Sequence, residues 1–133
     1  MIVTRFPVDD AVLSALHARA FGVPVAVKAW AAQLERHALT WVGAFDKGAL
    51  VGFVQVAWDG GEHAFILDTA VDPAAQRRGI GIALVRAATA EARAAGCSWL
   101  HVDHEPHLDH FYRAGCGFRP TQAGLISLDS HDT

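Results

Sequence analysis

The stretch VDPAAQRRGIGIALV, residues 71–85, decides the fold. It opens at the end of an apolar, β-forming run, His63 to Val71, and Asp72-Pro73 stops that run because proline cannot donate to a central ladder. From Ile82 to Gly96 the chain reads IALVRAATAEARAAG, a strong helix former. Leu84, Ala88, Ala92 and Ala95 supply its small-residue face, and Gly96 is its C-cap. Between strand and helix lies Gln76-Arg77-Arg78-Gly79-Ile80-Gly81. Glycines lack a Cβ and let the backbone approach an anion closely. The unpaired N–H groups of the helix start point toward it, with the helix dipole in support. Arg77 and Arg78 add positive charge. The plain alternative is that the glycine pair only makes a tight turn. No Gly-Lys-Ser/Thr follows, so the turn is not a P-loop, and the third glycine and second-strand acid of a dinucleotide fingerprint are missing.

Outward from this unit, Ile2 to Phe6 reads as a strand closed by Pro7. Asp9 or Asp10 caps a helix with Val12, Leu13, Leu16 and Ala20 on one face, ending near Gly22. Val25 to His37 is a second helical segment. Leu39 to Phe45, the turn Asp46-Lys47-Gly48 and Ala49 to Trp58 make a hairpin, and Asp59-Gly60-Gly61 leads into His63 to Val71. Beyond the central helix, Ser98 to Val102 reads as a buried strand, and Pro106 opens a helix from about His107 to Ala114. Phe118 to Pro120 and Leu125 to Leu128 are expected as closing strands around residues 121–124. The order is that of an α/β layer architecture.

With 133 residues and no linker or repeat, the chain is expected to be one domain over residues 1–133. A composition 52% hydrophobic and 19% charged is that of a globular protein, and a formal charge of -3 gives no reason to expect nucleic acid or an anionic membrane as partner. Cys97 and Cys116 fit neither a metal spacing nor a disulfide framework, which points to a reduced, cytoplasmic setting. MIVTRFPVDD lacks the basic and apolar regions of a signal peptide, and no window approaches the ~20 apolar residues of a membrane span.

The residues from Val71 to Val85 resemble motif A of the GCN5-related N-acetyltransferases (GNAT), whose signature is Gln/Arg-x-x-Gly-x-Gly/Ala. The preceding strand, the later strand at Trp99 to Val102, and Phe111-Tyr112 before Gly117-Phe118 fall in the family's order. The resemblance is carried by Ala49 to Phe118 and is weak over the first 40 residues. It implies a GNAT fold, with a mixed central sheet of about six or seven strands flanked by about four helices. It also implies acetyl-CoA as cosubstrate, with its pyrophosphate held by main-chain N–H groups of Arg77, Arg78, Gly79, Gly81 and Ile82, and with Gln76 at the motif's first position. The strand before the turn, at Thr69, Ala70 and Val71, would pair with the pantetheine arm, and one of its N–H groups would stabilise the oxyanion. No metal is implied.

The implied chemistry is direct attack of an amine on the thioester. A free amine is mostly protonated at neutral pH, so the site must accept a proton and later protonate the departing thiolate. Three groups compete as the base. Asp68 lies at the end of the strand where family members often carry an acid, and it can also anchor a cationic substrate. His101 sits where some protein-acetylating members carry a glutamate, and Glu105 follows on the loop. Their plain readings are a turn-bonded carboxylate, a satisfied core histidine and a solvated loop charge. Tyr112 is the implied general acid. The common pattern has three residues between that tyrosine and Gly-Phe; here Arg-Ala-Gly-Cys makes four. One extra residue rotates a helix by about 100°. Either the insertion is absorbed at Gly115, beyond the helix, or Arg113 takes the slot. A catalytically silent CoA-binding sensor on the same fold is the alternative function.

The run HVDHEPHLDHFY, His101 to Tyr112, holds four of the eight histidines and raises a metal site as a third reading. A metal needs converging ligands. Here the regular spacing crosses strand, loop and helix, so metal is not expected. The acceptor is expected to be an amine of a small molecule, peptide or protein. Asp9, Asp10, Glu35, Asp59, Glu62 and Asp68 are candidates for an acidic rim, and Phe21, Trp30 and Trp41 for acceptor-site walls or core. A homodimer through Trp30 is left open.

Overall fold

The computed structural model describes residues 1–129; residues 130–133, included in the expected domain, lie outside the described residues. Contacts divide the chain into two units, Met1–Val102 and a second beginning at Asp103.

The first unit holds a five-stranded sheet in the order β1 (Ile2–Thr4), β2 (Ala38–Asp46), β3 (Ala49–Trp58), β4 (His63–Val71) and β5 (Trp99–His101). The first three pairings are antiparallel and β4 with β5 is parallel. A parallel pair needs a long crossover, and α3 (Ile80–Ala94) supplies it. Side chains alternate across the sheet. Trp41 and Phe53 face α1 (Asp10–Phe21) and α2 (Trp30–His37), where they pack with Phe6, Leu13, Leu16, Trp30 and Leu34. Thr40 and Gly52 face α3: the Thr40 hydroxyl reaches Glu91, and a Cβ on Gly52 would lie 2.9 Å from Leu84 Cδ1 and 3.0 Å from Ile80 Cγ2. Gly43 serves the other face in the same way, since a Cβ there would lie 2.6 Å from the Phe6 ring.

α1 starts where its cap residue places it. Asp9 Oδ1 accepts the Val12 N–H at 3.0 Å, an interaction worth ~1 kcal/mol, and Gly22 at φ 67° ends the helix in the left-handed region. The second helix is shorter than expected. It begins at Trp30, not Val25, because Val23, Val25 and Val27 are β-branched and no local side chain caps them. Those three valines stay exposed. The cap comes from α1 instead: Asp10 Oδ1 accepts the Ala31 N–H at 2.8 Å.

The second unit departs from expectation most. Neither Phe118–Pro120 nor Leu125–Leu128 forms a strand, so the described residues hold five strands, not six or seven. Leu125, Ile126 and Leu128 are 83%, 87% and 94% exposed. Strand propensity is a property of a paired, half-buried surface, and these residues have no ladder partner among the described residues. The expected helix from His107 to Ala114 is also broken up. A 3₁₀ turn spans Pro106–Leu108 and a π turn spans Phe111–Gly115. The π turn is the physical answer to the extra residue. Cys116 N–H donates to Phe111 O at 2.9 Å, so one more residue is taken into a single widened turn. The helical segment thus runs through Gly115, where the expected helix ended at Ala114, and Gly117 at φ 82° follows.

Candidate active site

The glycine turn is built by backbone conformation. Asp72 N–H donates to Val51 O at 2.8 Å, which ties the end of β4 to β3. Asp72 Oδ1 accepts the Ala74 N–H at 3.0 Å and caps the 3₁₀ turn Pro73–Ala75. Its other oxygen lies 3.0 Å from an Arg19 guanidinium nitrogen. The Ala74 N–H, and after it the Arg19 pair, hold the Asp72 carboxyl below the usual carboxylate range. Arg77 at φ 67° and Gly79 at φ 75° then turn the chain into α3. The first intrahelical bond, Ala83 N–H to Gly79 O at 3.1 Å, leaves the N–H groups of Ile80, Gly81 and Ile82 ahead of it. No side chain caps this end. Gln76, Arg77, Arg78 and Gly79 are exposed. Arg78 pairs with Asp46 at 3.1 Å across the mouth of the β2–β3 hairpin.

At the same end of β4 a bulge interrupts the ladder. Gln55 pairs with Leu67 and Phe53 with Ala70, so Asp68 and Thr69 together stand opposite Val54. Asp68 sits at φ 57°, a left-handed conformation that aspartate tolerates better than most side chains. The bulge shifts the alternation by one residue. Without it, Asp68 would share the α3 face with Ile66; with it, the carboxylate meets the α1 face. There Asp68 Oδ2 accepts from Gln55 Nε2 at 2.7 Å, and Oδ1 lies 3.1 Å from His17 Nε2. Gln55 is 3% exposed, while the His17 and Asp68 side chains are 27% and 29% exposed. The His17 ring lies 4.5 Å from the Phe21 ring and 5.2 Å from that of Trp30. Thr69 Oγ1 is buried without a hydrogen-bond partner among the described residues.

The sequence did not single out His17 or Gln55. They stand 51 and 13 residues from Asp68, and no local pattern links them. The only available signal for Gln55 was an amide inside an otherwise apolar strand.

The other candidates separate. His101, on β5, is exposed; its Nε2 lies 2.8 Å from His63 Nδ1, and its ring stacks on Phe65 at 4.6 Å. In the second unit Glu105 is exposed. Tyr112 there is 6% exposed, stacked on His104 at 4.9 Å with Phe111 and Phe118 edge-on to it. Arg113 is exposed and pairs with Asp109 at 3.1 Å. Several members of the expected acidic rim have structural work: Asp9 and Asp10 cap helices, and Glu62 accepts from the Ser98 hydroxyl at 3.1 Å. Asp59 accepts the Gly61 and His63 N–H groups, which lower its pKa. Trp30 and Trp41 are core, with Trp41 Nε1 donating to Phe6 O at 2.8 Å, whereas Phe21 is 51% exposed. Burial of Trp30 removes it as an exposed dimer contact. Among the described residues no group of three or more His, Cys, Asp or Glu can hold a metal ion. No helix there is long and apolar enough to cross a membrane.

The acetyltransferase (GNAT) family model matches residues 11–118. A rice (Oryza sativa subsp. japonica) protein described as probable glucosamine 6-phosphate N-acetyltransferase 2 is 41% identical over 59 residues. That match spans 44% of this chain and 35% of the rice protein, so the chain covers about a third of its length. Among solved structures, a GNAT-family acetyltransferase from Streptococcus pneumoniae superposes with a TM-score of 0.79 at 25% identity, covering 98% of each chain. An aminoglycoside N-acetyltransferase in complex with CoA gives 0.75 at 17% identity, over 98% of this chain and 94% of the other. The chain belongs to the GNAT acetyltransferase family, and its α/β fold is the GNAT fold with a five-stranded mixed sheet.

Proposed function

We propose that the chain is an acetyl-CoA-dependent N-acetyltransferase that moves an acetyl group to an amine of a small molecule, peptide or protein. The observation that carries this reading is the uncapped turn from Arg77 to Ile82 at the end of β4, exposed from Arg77 to Gly79. Its residues fit an anion. Gly79 has open space where a Cβ would stand, the first N–H groups of a 15-residue helix precede its first internal bond, and Arg77 adds a cation. A pyrophosphate is the anion this arrangement suits.

When bound, acetyl-CoA supplies the thioester that an amine attacks. In this proposal the N–H groups of Arg77, Arg78, Gly79, Gly81 and Ile82 hold the pyrophosphate, with Gln76 at the head of the turn. Thr69, Ala70 and Val71 line the pantetheine arm, on the part of β4 beyond its pairing with β5, which ends at Phe65. Of the groups weighed for proton transfer, Asp68 has the most favourable surroundings, fixed on two sides in a half-buried cluster beside that backbone. His101 and Glu105 are the exposed competitors. Resemblance, not geometry, carries the role of Tyr112 as proton donor to the departing thiol; its burial and the ion pair that occupies Arg113 favour Tyr112 over Arg113 for that slot.

The acceptor is proposed only as an amine. The name of the rice relative makes glucosamine 6-phosphate one member of a test panel, beside a polyamine and a peptide with a free N-terminus. Purified protein mixed with acetyl-CoA and this panel should release free thiol, measured by a thiol-trapping dye, in step with amide formation by mass spectrometry. Cofactor binding with no turnover across the panel would favour the CoA-binding sensor instead.

A further inference from the structure

We propose that His17 is the group that takes the proton from the acceptor's ammonium, and that Asp68 is its positioning residue. This inference rests on the N-acetyltransferase reading above and adds a residue to the proposed chemistry. Three elements build the pair. α1 brings His17, the β4 bulge brings Asp68, and β3 brings Gln55. The Asp68 carboxylate accepts from both partners, Gln55 at 2.7 Å and His17 Nε2 at 3.1 Å.

A carboxylate on one ring nitrogen fixes the tautomer. The proton sits on Nε2, where Asp68 accepts it, and Nδ1 is left with its lone pair. Among the described residues Nδ1 makes no hydrogen bond, and the side chain is 27% exposed. The ring therefore offers an oriented acceptor nitrogen on a partly exposed side chain. Asp68 itself accepts hydrogen bonds through both oxygens, a placement that suits it to orient the ring. Gln55, 3% exposed, has its amide nitrogen on Oδ2 and holds the carboxylate in place.

The surroundings fit an ammonium ligand. Phe21, 51% exposed, flanks the imidazole at 4.5 Å, and such a ring attracts cations through its face. Arg19, two residues along α1, is committed to Asp72. Asp68 is thus the charged group in contact with His17. In the step itself, the ammonium nitrogen keeps its electron pair and gives one proton to Nδ1. The imidazolium that forms is stabilised by Asp68 and returns the proton to solvent. The neutral amine is then free to attack.

The test combines a readout on the free protein with one on turnover. In ¹⁵N-labelled wild-type protein above pH 7.5, long-range ¹H–¹⁵N spectra should show His17 protonated at Nε2 and bare at Nδ1 (assigned by the loss of its signals in His17→Gln). Asp68→Asn should abolish that single-tautomer signature. With acetyl-CoA and the amine panel, His17→Gln should lose about 10²-fold or more in kcat, and the acidic limb of the kcat profile should vanish. Acetyl-CoA binding by calorimetry should be unchanged in both variants. If His17→Gln binds acetyl-CoA and turns over within about threefold of wild type, the inference is overturned while the acetyltransferase reading stands. A mixed or Nδ1–H tautomer in wild type overturns it as well. If wild-type protein neither binds acetyl-CoA nor acetylates any amine, both readings fall together. A circular dichroism melt of each variant separates loss of fold from loss of function.

Discussion

Two regions of the first unit meet at the end of β4, and they are made in opposite ways. The turn from Gln76 to Ile82 is made of backbone: its distinguishing features are two positive φ angles, an uncapped helix start and N–H groups ahead of the first intrahelical bond. The cluster at Asp68 is made of side chains from α1, β3 and β4, joined by hydrogen bonds of 2.7 and 3.1 Å. A backbone site is local and tolerates almost any side chain that does not clash. A side-chain cluster depends on register, because only the bulge brings the Asp68 carboxylate to His17. In the proposed function the first binds the cofactor and the second orients the acceptor. Substitutions should therefore separate the two.

The largest effect is expected at Gly79. Valine there forces a β-branched residue to φ 75°, at a cost of order 1–3 kcal/mol, and sets methyl groups against the proposed pyrophosphate path. Gly79→Val should weaken acetyl-CoA binding at least ~100-fold by calorimetry, equivalent to about 2.7 kcal/mol, while the far-ultraviolet spectrum stays native. Gly52→Ala attacks the seat of the same helix from beneath. Its Cβ would meet Leu84 and Ile80 at 2.9 and 3.0 Å, so unfolding in urea should show a loss of about 1–3 kcal/mol, with weaker acetyl-CoA binding as a consequence.

Gln55→Leu tests the cluster. It removes one of the two groups that fix Asp68, and steady-state kinetics should show kcat reduced about tenfold with KM for acetyl-CoA unchanged. Equal losses in both parameters would mean that cluster and turn are one site with no division of labour. The smallest effect is expected from Asp72→Asn. The folded-state pKa of Asp72 is lowered, so its contribution is present above the ordinary carboxylate value of about 3.9 and is lost as pH falls through the lower folded value. The melting temperature of wild type should exceed that of Asp72→Asn at pH 7. That gap, worth less than about 1 kcal/mol, should close as pH is lowered below about 4.

What could be read from the sequence follows the same division. The glycine turn was legible because its signals are contiguous: Pro73 ends a strand, glycines mark left-handed backbone, and an alanine-rich helix follows. The β2–β3–β4 meander was legible from turns at Lys47-Gly48 and Gly60-Gly61. The start of α2 was misread because its cap, Asp10, is donated from another helix. The two closing strands were overread at Phe118 and Leu125, since apolar residues make strands only where a ladder partner exists. The π turn at Phe111–Gly115 is a choice among hydrogen-bond patterns that residue spacing does not dictate. The partnership of His17, Gln55 and Asp68 was illegible because a one-residue bulge decides which face Asp68 joins.

The measurement that bears most directly on the whole account is a calorimetric titration of folded wild-type protein with acetyl-CoA, run beside Gly79→Val. The account predicts saturable one-to-one binding with a Kd below about 1 mM, lost in the variant. Folded wild-type protein that gives no heat and no thermal shift at millimolar acetyl-CoA would contradict it.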